Sequence, residues 1–134
     1  MTAHGRHCWI LAALVGTLLL GACRTTGPEV TAAGIWSSWN LPDGIVLELE
    51  LAESNGAISG VLRDNTEFSP DAPVSGSRTG NSVSLTILDQ EASPPRVGMT
   101  MIGTLRGNRL DAIFRIVDAP PEQGDPEWEV LFLR

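Results

Sequence analysis

The chain has 134 residues, enough for one domain with a core of its own, and sets nine Lys and Arg against sixteen Asp and Glu, a net charge of −7. That balance excludes a nucleic-acid partner, since affinity for polyphosphate is built from clustered positive charge. The chain has no lysine, and its only histidines, His4 and His7, and the first of its two cysteines, Cys8, sit close to its start; the usual nucleophile, general-base and thiolate or imidazole metal chemistries therefore lack their residues, and neither an enzyme nor a metal or other cofactor is expected.

Residues 9–20, Trp-Ile-Leu-Ala-Ala-Leu-Val-Gly-Thr-Leu-Leu-Leu, form an apolar run short of the roughly 20 residues a membrane span needs. The run follows Arg6 and leads into small residues, the order of an export signal. Leu20-Gly21-Ala22-Cys23 then resembles the lipobox of bacterial lipoproteins, in which the cysteine thiol takes a diacylglyceryl group and the peptide bond before it is cut. The resemblance implies a signal peptide over 1–22, cleavage between Ala22 and Cys23, and a membrane partner reached through lipid on Cys23. It also favours the periplasmic face of an outer membrane, because Arg24 stands where an aspartate marks inner-membrane retention. Acyl chains contribute about 0.8 kcal/mol per buried CH₂, so two or three anchor a small domain firmly. The plain alternatives are an ordinary secretory signal with a chance cysteine, or a signal anchor. Processing removes Arg6, Cys8 and both histidines, taking the net charge from −7 to −8. With Cys23 acylated, the exported domain has no disulfide in an oxidising compartment, and packing must hold it together.

Residues 23–33 read as a lipidated tether: polar, small, and broken at Gly27-Pro28. Ten residues reach at most about 35 Å. From 34 to 134 the pattern is that of strands, short runs of Val, Ile, Leu and Thr alternating with polar residues and ending in Gly, Pro, Asn or Asp. The clearest is 45–51, where Leu47, Leu49 and Leu51 share one face and Glu48 and Glu50 the other. Similar runs occupy 57–63, 82–88, 98–105, 109–117 (Leu110, Ala112, Phe114 and Ile116 inward) and 128–134, with weaker ones at 34–39 and 73–78. Ser54-Asn55-Gly56, Thr79-Gly80-Asn81 and Arg106-Gly107-Asn108 are tight hairpin turns, and they alternate strictly with long loops at 40–44, 64–72, 89–97 and 118–127. Short and long connections then gather at opposite ends of an all-β, roughly eight-stranded, up-and-down antiparallel barrel, with the lipid tether entering at the tight-turn end.

Gly34-Ile35-Trp36 at the first strand and Arg134 at the last resemble the signature of the calycin superfamily of lipocalins, fatty-acid-binding proteins and avidins. The resemblance implies that Trp36 closes the barrel base beneath the Arg134 guanidinium, with Gly34 beside them. The chain departs from lipocalins in having no Thr-Asp-Tyr-type motif, no tyrosine and no room for a C-terminal helix, so no ligand carries over.

Asp43, Asp64, Glu67, Asp71, Asp89, Glu91, Asp118, Glu122, Asp125 and Glu127 fall in or beside the long loops, with Arg96 as the sole countercharge expected among them. Such a rim attracts a cationic ligand or a basic protein; its plain alternative is solvated loop acid that keeps the domain soluble. The spacing of a calcium loop is absent. Met99 and Met101 share a strand face, where core packing outweighs soft-metal ligation. Trp39 points outward or into the first loop, and Trp128 either anchors an interface or is covered by a loop. The expectation is a non-enzymatic, lipid-anchored binding barrel for a small apolar or cationic ligand. The rivals are a protein-binding module, such as an inhibitor of a basic or proteolytic enzyme, and a structural envelope lipoprotein. Candidate rim contacts are Trp39, Asp64, Glu67, Asp118, Glu122 and Trp128.

Overall fold

A computed structural model describes residues 30–66, 71–123 and 127–134; the expected signal peptide, Ala22, Cys23, most of the tether and Glu67 lie outside the described residues. Eight antiparallel strands close in chain order into a barrel: β1 (Gly34–Ser38), β2 (Leu47–Ser54), β3 (Ala57–Asp64), β4 (Ala72–Thr79), β5 (Ser82–Asp89), β6 (Arg96–Arg106), β7 (Arg109–Ile116) and β8 (Glu127–Leu133). A 3₁₀ turn, Pro121–Gln123, lies between the last two.

The three tight turns use positive φ where hairpins with right-handed strand twist require it. Asn55 and Gly56 both take it, at 51° and 79°, while Gly80 and Gly107 take it at the first turn position, at 59° and 64°. The long connections gather at the other end, here called the mouth, so the expected segregation of short and long loops is present. β2 starts at Leu47 rather than Ile45. Ile45 and Val46 are exposed and belong to a loop, where Asn65 accepts the Val46 N–H at 2.9 Å and donates to the Gly44 carbonyl at 2.9 Å.

Alternate residues of every strand fill the interior. Trp36, Leu49, Val83, Leu85, Ile87, Met101, Leu110, Phe114, Val130 and Phe132 are almost completely excluded from solvent. An eight-stranded barrel is narrow enough for side chains to fill, and the register shows how these do it. Gly60 lies between Leu51 and Val74, Gly76 between Ile58 and Leu85, and Gly103 between Val83 and Ala112. Each inward glycine yields its volume to larger neighbours, and at two of them adjacent strands approach so closely that no side chain fits. A Cβ on Gly76 would stand 1.9 Å from the Ser84 carbonyl oxygen, and one on Gly60 2.0 Å from that of Glu50. These are the places where the sheet is bent to close. Ile116, read as inward, is 37 % exposed, because the packed interior ends one layer deeper, where Phe114 stacks on Trp128.

The base is closed by the end of the segment read as tether. The Trp36 indole N–H donates to the Ala32 carbonyl at 2.8 Å, and Ala32 itself is fully buried. The Arg134 guanidinium carbon sits 4.5 Å from the Trp36 ring centre, and Arg134 Nη1 donates to the Ala33 carbonyl at 2.8 Å. Gly34 makes this stack feasible, since its φ is 132° and a Cβ there would lie 2.9 Å from Arg134 Cδ. Residues 31–33 are therefore part of the barrel rather than free linker.

Two substitutions test this account of closure. Gly76→Ala is expected to lower unfolding free energy by about 3 kcal/mol, the cost of forcing volume into a tight site, and Arg134→Ala by about 2 kcal/mol through loss of the cation–π and hydrogen-bond contacts. Urea denaturation followed by tryptophan fluorescence measures both.

Candidate functional site

A filled interior leaves the outside of the barrel to do any binding, and two regions there combine apolar and charged groups. The first is the mouth. β6 carries a bulge in which Val97 pairs with Leu88 and Met99 with Ile87, so Gly98 has no partner in the ladder. A bulge bends its strand and re-aims the flanking side chains. Here it opens a shallow cleft of about 450 Å³ floored by Ile87, Met99 and Ile116 and edged by Asp71, Asp89 and Glu91. The methionines serve as packing: Met101 is buried and Met99 lies against the core.

The second region is the outer wall where β1, β8, β7 and β6 follow one another. Trp39, just past β1, is 74 % exposed, and its backbone N–H donates to the Leu131 carbonyl at 2.8 Å. Asn40 extends the seam with its side chain: Oδ1 accepts the Leu131 N–H at 2.7 Å and Nδ2 donates to the Glu129 carbonyl at 3.3 Å. One primary amide thus takes the place of a peptide group and lets β1 leave the sheet early. Farther along the same wall Ile102 pairs directly with Ile113, and both are exposed. A groove of about 450 Å³ runs between them past Asp111 and Leu131 to Asn40.

The sequence-predicted rim residues separate in space. Trp39 faces solvent on the wall. Trp128 points inward, half-buried, with its ring 5.6 Å from that of Phe114. Asp64 ends β3 and accepts the Thr66 backbone N–H and hydroxyl at 3.0 and 2.7 Å. Asp118, at φ 57°, and Glu122 are exposed on the connection before β8. Arg96 is not the only countercharge. Arg63 reaches Glu50 at 2.6 Å and Asp71 at 3.0 Å, and Arg115 is paired with Glu127. Both arginines sit in strands and meet the acids across the sheet, a proximity that depends on register. The two carboxylates hold the half-buried Arg63 firmly in its charged form.

Sequence reasoning missed a partly buried ion pair at the opposite end. Glu53, its side chain 6 % exposed, meets Arg78, 16 % exposed, at 2.5 Å. It also accepts the Ala32 N–H at 2.6 Å and the Thr31 hydroxyl at 3.2 Å. The hydrogen bond from Arg78 holds the Glu53 carboxyl below its usual range, against the opposing effect of burial and with help from Ala32 and Thr31. A carboxylate so held stays ionised, the opposite of a general acid. Among the described residues no group of three or more His, Cys, Asp or Glu side chains is placed to hold a metal ion.

No protein-family model matches the chain, and a search of curated proteins finds no relative of it.

Glu53 gives the domain a defined acid sensitivity. Its folded-state value lies below the ordinary one of 4.5, so its stabilising contribution is complete above that pH and is lost as the pH falls through the folded value. As the pH is lowered from about 5, stability is expected to fall less steeply in Glu53→Gln than in the parent, and at pH 7 the variant is expected to be about 1–2 kcal/mol weaker, the size of a lost charge-assisted hydrogen bond. Urea titrations at each pH supply both numbers.

Proposed function

We propose that this protein is a lipid-anchored, non-enzymatic binding module of the bacterial cell envelope, held by acylated Cys23 and recognising a basic protein through the mouth and the adjoining outer wall. The observation that carries the reading is a barrel packed solid with side chains whose largest exposed hydrophobe among the described residues, Trp39, stands on the outer surface at 74 % exposure. Interface cores favour tryptophan, and a partner that covers it removes a large apolar area from water. The acids at the mouth set the sign of the partner: a negative field speeds the approach of a positive surface and rejects a negative one. The absence of histidine and lysine after residue 22 supports a non-enzymatic role.

A second reading keeps the small ligand but moves it from the barrel interior to the mouth. The cleft over Ile87, Met99 and Ile116 is large enough for part of a small amphiphile, with Asp89 and Glu91 at its edge for a cationic group.

Capture experiments with the full chain, run at low and high salt and assayed for proteins and small molecules together, separate these readings. The protein reading expects a basic protein retained at low salt, lost at high salt, and reduced about tenfold in affinity by Trp39→Ala. Retention of only a small cation, insensitive to Trp39→Ala, supports the second reading instead. Palmitate labelling of the parent and none of Cys23→Ala tests the anchor; equal labelling of the two excludes it.

A further inference from the structure

Resting on the reading of Cys23 as acylated, we propose that the base of the barrel is itself a membrane-contact surface that lies on anionic phospholipid headgroups, so that the domain stands upright on its bilayer instead of swinging from its tether.

Charge is sorted along the barrel axis. Arg78, Arg106, Arg109 and Arg134 collect at the tight-turn end, where Glu53 and Asp111 are the opposing acidic side chains among the described residues. Asp43, Asp64, Asp71, Asp89, Glu91, Asp118, Glu122 and Glu127 collect at the mouth, where they outnumber Arg63, Arg96 and Arg115. Arg78 is occupied by Glu53, but Arg106 and Arg109 share the single carboxylate of Asp111, at 3.2 and 2.7 Å, and Arg106 remains 70 % exposed on its side chain. The base thus presents excess positive charge in a protein whose net charge is −7.

The same end also carries apolar side chains that are about half exposed. Val30, Ile35 and Leu133 are exposed around its rim. Arginine mixed with exposed aliphatic groups is the composition of a surface that settles among headgroups, where the cation meets phosphate and the hydrocarbon enters the acyl boundary. Between Arg106 and Arg134 lies a recess of about 450 Å³, with Asn81 and Asn108 at its edge and Val30 and Leu105 in its wall. Its guanidinium and amide donors suit a phosphate group.

Chain length brings the two surfaces together. Glu53 pins Thr31 and Ala32 to the base, so Cys23 is separated from the first pinned residue by residues 24–30, and a stretch of that length spans no more than about 25 Å. The lipid enters the membrane directly beneath the end of the barrel that carries the arginines. An acidic mouth held next to anionic lipid would be repelled, so charge and tether select one orientation.

The test uses the full chain purified from membranes and reconstituted into vesicles of phosphatidylcholine alone or mixed with phosphatidylglycerol. A fluorescent thiol probe is placed at the base in Asn81→Cys and at the mouth in Glu122→Cys, and quenching by a water-soluble agent is measured. The base probe is expected to be shielded about fivefold more in the mixed vesicles than in phosphatidylcholine, and the mouth probe equally exposed in both. High salt, or Arg106→Glu with Arg109→Glu, should abolish the difference; salt gives this control without altering the fold. Palmitate incorporation in the same preparation separates the two readings. Acylated protein whose base probe is quenched alike in both vesicles overturns the base contact and leaves the anchor standing. If the protein is not acylated, Cys23→Ala is floated with the two vesicle types: binding only to those with phosphatidylglycerol supports the base contact, and binding to neither overturns it.

Discussion

Closing an eight-stranded sheet on itself requires its first and last strands to meet, and here they meet over a very short seam. β1 and β8 share two residue pairs, Ser37 with Leu133 and Ser38 with Phe132. Side chains hold what the ladder does not. Below the seam Arg134 lies over Trp36 and bonds the Ala33 carbonyl; above it Asn40 substitutes for the missing backbone. Release of the Arg134 contact would uncover the buried indole and loosen the strand that must complete the barrel. The glycine at 34 and the pinned segment 31–33 make sense only around this stack.

The strand pattern was readable because one face of each strand is dry and the other wet, a period of two that survives in any register. The tight turns were readable because only Asn and Gly accept their φ values cheaply, and the sequence places them between apolar runs. Gly34, Trp36 and Arg134 could be placed by resemblance although a hundred residues separate the ends of the group. What stayed hidden depends on which residue faces which across the sheet. Glu53 and Arg78 are 25 positions apart, on strands that do not pair, and nothing local marks Glu53 as a buried acid. Arg63 looked like an ordinary strand residue until register set it beside Glu50 and Asp71. The bulge at Gly98 could not be counted in advance, because one extra residue in a ladder is visible only against its partner strand. Trp39 was placed on the outward parity correctly, whereas its exposure follows from Asn40 holding the chain flat against β8.

A solid interior changes what kind of recognition this architecture supports. Related-looking barrels with hollow centres select ligands by the shape of a cavity. Here Trp36, Phe114 and Phe132 occupy the centre, and any selectivity would have to be written on the surface, by the sign of the charge and by the few large side chains left in water. The two ends are written oppositely, acidic where the chain loops are long and cationic where the turns are tight, and the intervening wall carries the Ile102 and Ile113 pair.

The contact between Gly34 and Arg134 also makes the barrel topologically almost a circle. A Cβ on one would touch the side chain of the other, so a short peptide could join the ends while the chain is reopened in a mouth loop, without disturbing any strand pairing. Such a permuted barrel would begin and end at the acidic pole and leave the arginines at the end remote from its termini. The native order of strands therefore decides which pole of the barrel receives the incoming chain, even though the fold would accept either.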